Sequence, residues 1–264
     1  MAAAALSLVA AAGCESVNTT QGGTIGIDRT QRMSSLVSEQ QLDQQAVQLY
    51  QQTLSGARGK GQLNTNASQV ARVRTISQRL IGQVGVFRPD ATKWKWEVNV
   101  IDDKEVNAWC MPGGKIAVYT GLINTVKPTD DELAAVLGHE IAHALREHAR
   151  ERASEQMATS MGLSVLAAIT GSQASSDLGG ALANVMFGLP NSRLHETEAD
   201  RMGVELAARA GYDPRAAVTL WTKMGQVGGS APPEILSTHP SAESRIADLK
   251  QASEKVLPLY QQAR

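Results

Sequence analysis

From residue 34 onward, apolar positions recur with two different periods, and the switch between them divides the chain into elements. Leu36, Val37, Ala46, Val47, Leu49, Tyr50 and Leu54 fall at helical spacing between Ser34 and about Leu54, and the Gly56 to Gly61 stretch predicts its end. A second helix is predicted over Ala67–Ile81, ahead of Pro89. The period then shortens to two. Trp94, Trp96, Val98 and Val100 alternate with Lys93, Lys95, Glu97 and Asn99, the pattern of a half-buried strand. Val106 to Met111 and Lys115 to Thr120 flank Pro112-Gly113-Gly114 and read as paired strands around a tight turn. After Pro128 the pattern is helical to the end, with no internal repeat. These elements predict an α+β fold, mostly helical, with one small β-sheet.

The 264 residues allow one to two domains, and residues 34–264 read as a single one. Hydrophobic residues at 42% and charged residues at 19% suit a packed core. With 25 Lys and Arg against 26 Asp and Glu there is no basic surplus to hold a phosphate backbone, so nucleic acid is not expected as a partner. Two cysteines, Cys14 and Cys110, cannot form a disulfide framework.

The polar and apolar pattern differs before residue 34. Residues 1–13 are uncharged, largely apolar and end in small residues directly before Cys14; they are too short to span a membrane. Ala11-Ala12-Gly13-Cys14 resembles a bacterial lipoprotein cleavage box, so residues 1–14 read as a signal peptide with lipid attachment at Cys14, although no Lys or Arg precedes Arg29. Residues 15–33, rich in Ser, Thr, Gln and Gly, read as a flexible tether. The expected location is the bacterial envelope, in the periplasm, with acyl chains anchoring the protein to the outer membrane.

The chemistry concentrates in the helix after Thr129, which opens with a Thr129–Glu132 capping box. It carries His139-Glu140-Ile141-Ala142-His143, an HExxH motif. Residues four apart on a helix share a face, so both imidazoles can reach one zinc ion with Glu140 beside them. Ala149 and Arg146 exclude the HExxHxxGxxH pattern, and His148 is one residue out of its register. The third ligand is sought downstream, in a second helix from Ser192 to Ala210 that carries His195-Glu196-Thr197-Glu198-Ala199-Asp200. Glu196 and Asp200 are four apart, so one can ligate zinc while the other accepts the free N–H of a ligand histidine.

HExxH followed by Glu-x-Glu-Ala-Asp resembles metallopeptidase family 48, the gluzincin group of HtpX and the CAAX prenyl proteases. Leu36-Val37-Ser38-Glu39-Gln40, Asn107 to Gly114, and Ser237-Thr238-His239-Pro240 with Arg245-Ile246 extend the resemblance over roughly residues 30–252. Without an apolar run of spanning length, the chain is similar to the soluble envelope branch of BepA and LoiP. The resemblance implies a zincin-type domain with one zinc on His139, His143 and Glu196, Glu140 as the catalytic glutamate and Asp200 as the orienting aspartate. It implies hydrolysis by zinc-activated water and a quality-control role on unfolded or misassembled envelope proteins. It also implies that His239 can reach the zinc, as a latch or a transition-state donor; the alternative is a loop cap. The other functional class is a chaperone-like or scaffold protein whose zinc site is latched and largely inactive.

Four smaller expectations complete the reading. The pairing around Pro112-Gly113-Gly114 is either an ordinary hairpin or an edge strand that lines the cleft and pairs with extended substrate. Arg245 joins an acidic residue near the site or a surface ion pair. Residues Met157 to Leu189 form a buried helix or, the reading preferred, an amphipathic lid. Trp221, Met224 and the Cys110 thiol belong to the core.

Overall fold

The computed structural model describes residues 14–35, 37–170, 183–188, 190–227, 233–239 and 243–264. Its centre is a three-stranded sheet of β3 (Glu97–Ile101), β4 (Ala108–Met111) and β5 (Lys115–Tyr119), after a β1 (Cys14–Val17) and β2 (Gln31–Ser34) pair at the N-terminus. The helices are α1 (Glu39–Gly59), α2 (Ala67–Ile81), α3 (Asp130–Leu145), α4 (His148–Thr170), α5 (Arg193–Arg209), α6 (Ala216–Gln226), the short α7 (Glu234–Thr238) and α8 (Glu243–Ala263). No helix among the described residues is long and apolar enough to cross a membrane.

The sheet order is β3-β5-β4, with β3 parallel and β4 antiparallel to β5. Side chains alternate between its faces. Ala108, Cys110, Ile116 and Val118 join the main core with α2, α3, α5, α6 and α8. Trp109, Met111 and Ala117 point the other way, against Leu42, Ala46, Tyr50 and Leu54 of α1. Both faces are therefore covered, and β4 is an edge strand. The Cys110 thiol is buried, and Trp221 and Met224 lie in the core.

Three element boundaries differ from the pattern-based expectation. Helix α1 starts at Glu39, capped by a Ser38–Gln41 box, and runs past Gly56. A side chain at Gly56 would meet nothing within 4 Å, so that glycine weakens the helix without ending it; the turn falls at Gly61, whose φ is +68°. Trp94 and Trp96 precede β3, because Pro89 starts a 3₁₀ turn over Pro89–Lys93.

The tether expected over residues 15–33 is instead folded onto the domain. β1 and β2 pair antiparallel, Ile25 and Ile27 are in the main core, and the backbone N–H groups of Thr24 and Ile25 donate to Glu205 at 3.0 and 2.7 Å. A polar segment stays ordered when its polar groups find buried partners. Residues 1–13, including most of the expected signal peptide and lipobox, lie outside the described residues. So does much of the expected lid: α4 runs to Thr170, but residues 171–182 and 189 are not described.

Candidate metal centre

Helices α3 and α5 carry the motif residues and cross at two glycines. A Cβ on Gly203 would stand 2.6 Å from the His139 backbone nitrogen, and one on Gly138 would stand 2.7 Å from the Gly203 carbonyl oxygen. Backbone on backbone brings the two motifs together. Both helices begin on side-chain caps: Thr129 and Glu132 form a reciprocal box on α3, and Ser192 accepts from the His195 N–H on α5.

His139, His143, Glu196 and His239 each place one donor atom within 4.8 Å of the others, all buried. His139 Nε2 lies 3.0 Å from His143 Nε2 and 3.1 Å from His239 Nδ1. Glu196 Oε1 lies 2.9 Å from His239 Nδ1 and 3.4 Å from His143 Nε2. A tetrahedral zinc with bonds of about 2.0 Å sets its ligand atoms roughly 3.3 Å apart. The two nitrogens and one carboxylate oxygen required by the HExxH reading therefore fit the metal in number, chemistry and spacing, with His239 at a fourth corner.

His139 and Glu196 are held from behind, and His239 is flanked by Asn191. His139 Nδ1 is 3.0 Å from Asp200 Oδ1, and Asp200 accepts two bonds from Arg245, from Nε at 2.5 Å and Nη2 at 2.8 Å. Arg245 also lies 2.9 Å from Glu196 Oε2 and stacks 3.7 Å over the Trp221 ring, so it belongs to the site and not to the surface. Asn191 Nδ2 lies 3.3 Å from His239 Nδ1, and the Asn191 N–H donates to the Thr238 carbonyl at 2.8 Å.

Glu140 is 3% exposed, and its Oε1 makes no hydrogen bond among the described residues; His239 Nε2 stands 3.6 Å away. Burial holds the Glu140 carboxyl above the ordinary glutamate value, against the pull of His239 and His139. Burial also pushes Glu196 up, but the charges of His239 and His139 overcome it and leave the carboxyl well below its ordinary value. Burial opposes protonation of His239, yet Glu196 and Glu140 raise it above the ordinary histidine value.

The centre opens into a cleft of about 300 Å³. Ala108, Trp109 and Cys110 of β4 form one wall, and Met186 and Phe187 stand among its other lining residues. The Trp109 and Phe187 rings meet edge to face at 5.7 Å. The edge strand expected along the cleft is thus β4.

Sequence reasoning missed the layer beneath the centre. His148, His195, Glu198 and Arg146 form a buried polar group next to His143, closed on its outer side by the half-buried Arg29. Only the proximity of His148 to the HExxH motif hinted at it; Arg29 stands 122 and 169 positions from its two partners.

The model of peptidase family M48 matches residues 67–253. The mitochondrial metalloendopeptidase OMA1 of Arabidopsis thaliana is 40% identical over 169 residues, 63% of this chain and 34% of the relative. The protein of the same name from Schizosaccharomyces pombe is 37% identical over 187 residues, 68% of this chain and 51% of its own length. The beta-barrel assembly-enhancing protease of Escherichia coli K12 is 28% identical over 216 residues, 78% of this chain and 43% of the relative. The matched region thus spans between about a third and a half of each relative.

Proposed function

Because the chain belongs to peptidase family M48, we propose that it is a zinc-dependent metalloendopeptidase acting on unfolded or misassembled proteins of the bacterial envelope. The observation that carries this reading is the convergence of His139, His143 and Glu196 beside a buried Glu140 oxygen that bonds to nothing described. Zinc bound by His139, His143 and Glu196 supplies Lewis acidity for the scissile carbonyl and for the attacking water.

The remaining steps belong to the chain. Glu140 Oε1 takes the proton of the attacking water and passes it to the leaving amine, and its raised pKa brings it closer to neutrality for that task. Asp200 accepts from His139 Nδ1 and so leaves Nε2 free as a ligand. An extended segment lies along β4 as an added strand, which selects chains without fixed structure of their own. The envelope location rests on the Ala11-Ala12-Gly13-Cys14 box and on the likeness to a protease named for β-barrel assembly. Loss of labelled palmitate incorporation in Cys14→Ala checks the anchor.

His239 favours a second state of the same site. Its Nδ1 stands at the corner of the donor set that catalysis needs open, so His239 is proposed as a latch. A latch that never releases gives the chaperone-like or scaffold alternative.

The deciding experiment measures bound zinc and cleavage of casein for wild type and Glu140→Gln. Wild type is expected to bind about one zinc and cleave, and Glu140→Gln to bind zinc without cleaving. If both bind and neither cleaves, the latched reading prevails and His239→Ala should release activity; a wild type without zinc overturns the assignment.

A further inference from the structure

The first residue of α4, His148, stands against the second motif histidine. His148 Nδ1 is 2.8 Å from His143 Nδ1, and His148 Nε2 is 3.0 Å from Glu198 Oε2. On one continuous helix, residues five apart point about 140° away from each other. Here α3 stops at Leu145, and Glu147 adopts a left-handed backbone with φ +51°, so α4 swings back and returns His148 to the His143 ring. The two rings meet at 72° with centroids 4.8 Å apart.

The hydrogen-bond partners assign a consistent set of protons to this chain of groups. The ionised Glu198 only accepts, so His148 carries its hydrogen on Nε2 and presents a bare Nδ1. His143 must then carry its hydrogen on Nδ1 and leave Nε2 bare, facing Glu196 and His139. Glu198 is itself held by Arg29 Nε at 2.7 Å and by Arg146 Nη2 at 3.1 Å. Arg146 is fully buried and also donates to the Arg29 carbonyl at 3.0 Å. The His195 ring stacks on His148 at 4.3 Å and 16°, with its Nε2 3.1 Å from Glu151.

We propose that His148 is a positioning residue for His143, and that the His148–Glu198 pair clamped by Arg29 and Arg146 sets the ring orientation and tautomer in which His143 binds metal. It does for His143 what Asp200 does for His139, through an imidazole in place of a carboxylate. His148, Glu151 and His195 also place three donor atoms within 4.8 Å. However, both His148 nitrogens are engaged, and Arg29 already pairs with Glu151 at 2.6 Å, so the geometry points to a relay and not to a second cation. The inference rests on the metallopeptidase reading.

The test is zinc affinity by chelator competition, together with zinc stoichiometry and metal-free thermal stability, on the full chain and three variants. His148→Phe keeps the ring without its nitrogens. His148→Asn keeps an amide acceptor near the Nδ1 position, and His148→Gln carries its amide to the Nε2 position instead. His148→Phe and His148→Gln are expected to weaken zinc binding about ten- to a hundredfold, with His148→Asn within about threefold of wild type. The proposal is overturned if His148→Phe binds as tightly as wild type, or if His148→Asn loses as much as His148→Gln. It is also overturned if wild type holds two zinc ions and His148→Phe loses one without weakening the other. If His148→Phe does not fold, the comparison of Asn with Gln decides alone. A wild type that binds no zinc fails the underlying reading as well, which separates the two failures.

Discussion

Asp43 faces two other carboxylates, Glu39 and Glu147, and the guanidinium of Arg88 bridges those two, with Arg150 adding a second bond to Glu147 at 3.1 Å. Arg88 donates to Glu39 at 2.5 Å and to Glu147 at 2.7 Å. Burial first, then the charges of Glu39 and Glu147, raise the Asp43 carboxyl from the ordinary 3.8 to about 6. Below about pH 4 Asp43 is neutral whether the chain is folded or not, and above about 6 it is charged in both states, with the folded state penalised. Its contribution therefore worsens as pH rises through this window. Asp43→Asn is expected to raise the Tm of the metal-free protein at pH 7 and leave it unchanged near pH 3.5; thermal melts at both values check this. The motif residues at this scale were legible because helical spacing alone puts His139, Glu140 and His143 together. Arg29 and Arg146 were not, because composition records a polar residue without saying whether it has a buried partner.

Elements were legible where their ends carry side-chain signals. Thr129 and Glu132 announce α3, and the structure forms both halves of that box, with Glu132 also bonded to Thr219 and Lys223. Thr129→Ala should cost about 1 kcal/mol, read as a shift of the urea midpoint. The N-terminal segment gave the opposite signal, since Ser, Thr, Gln and Gly suggested a tether, whereas Ile25, Ile27 and Met33 are buried. Gln31 is buried and donates to the Arg146 carbonyl at 2.6 Å and to Glu151 at 2.8 Å. Removing residues 14–33 would strip Glu151, Glu198 and Arg146 of partners at once. That deletion is expected to lower the urea midpoint and weaken zinc binding, whereas a dispensable tether would change neither.

At the scale of the whole molecule, metal and fold are linked, because the donor set joins α3, α5 and the segment after α7. If the proposed zinc binds, a hundredfold excess over its Kd would stabilise the folded chain by about 2.7 kcal/mol. Chelation should lower the Tm by roughly 5–10 °C, and added zinc should restore it where magnesium does not. The mostly helical plan and the small sheet were readable from the two periods. The order β3-β5-β4, with β3 parallel to β5, was not, because strand order depends on contacts that periodicity does not encode.

The crossing at Gly138 and Gly203 works as a ruler. Elsewhere along α3 and α5 a larger or smaller side chain can be taken up by a neighbour's rotamer. At this point there is no side chain to yield, so the separation of the two rungs that carry His139 and Glu196 is read directly off the thickness of two backbones. Any atom added there is transmitted undamped to the gap between His139 and Glu196, which makes the width of the centre a property of the main chain itself.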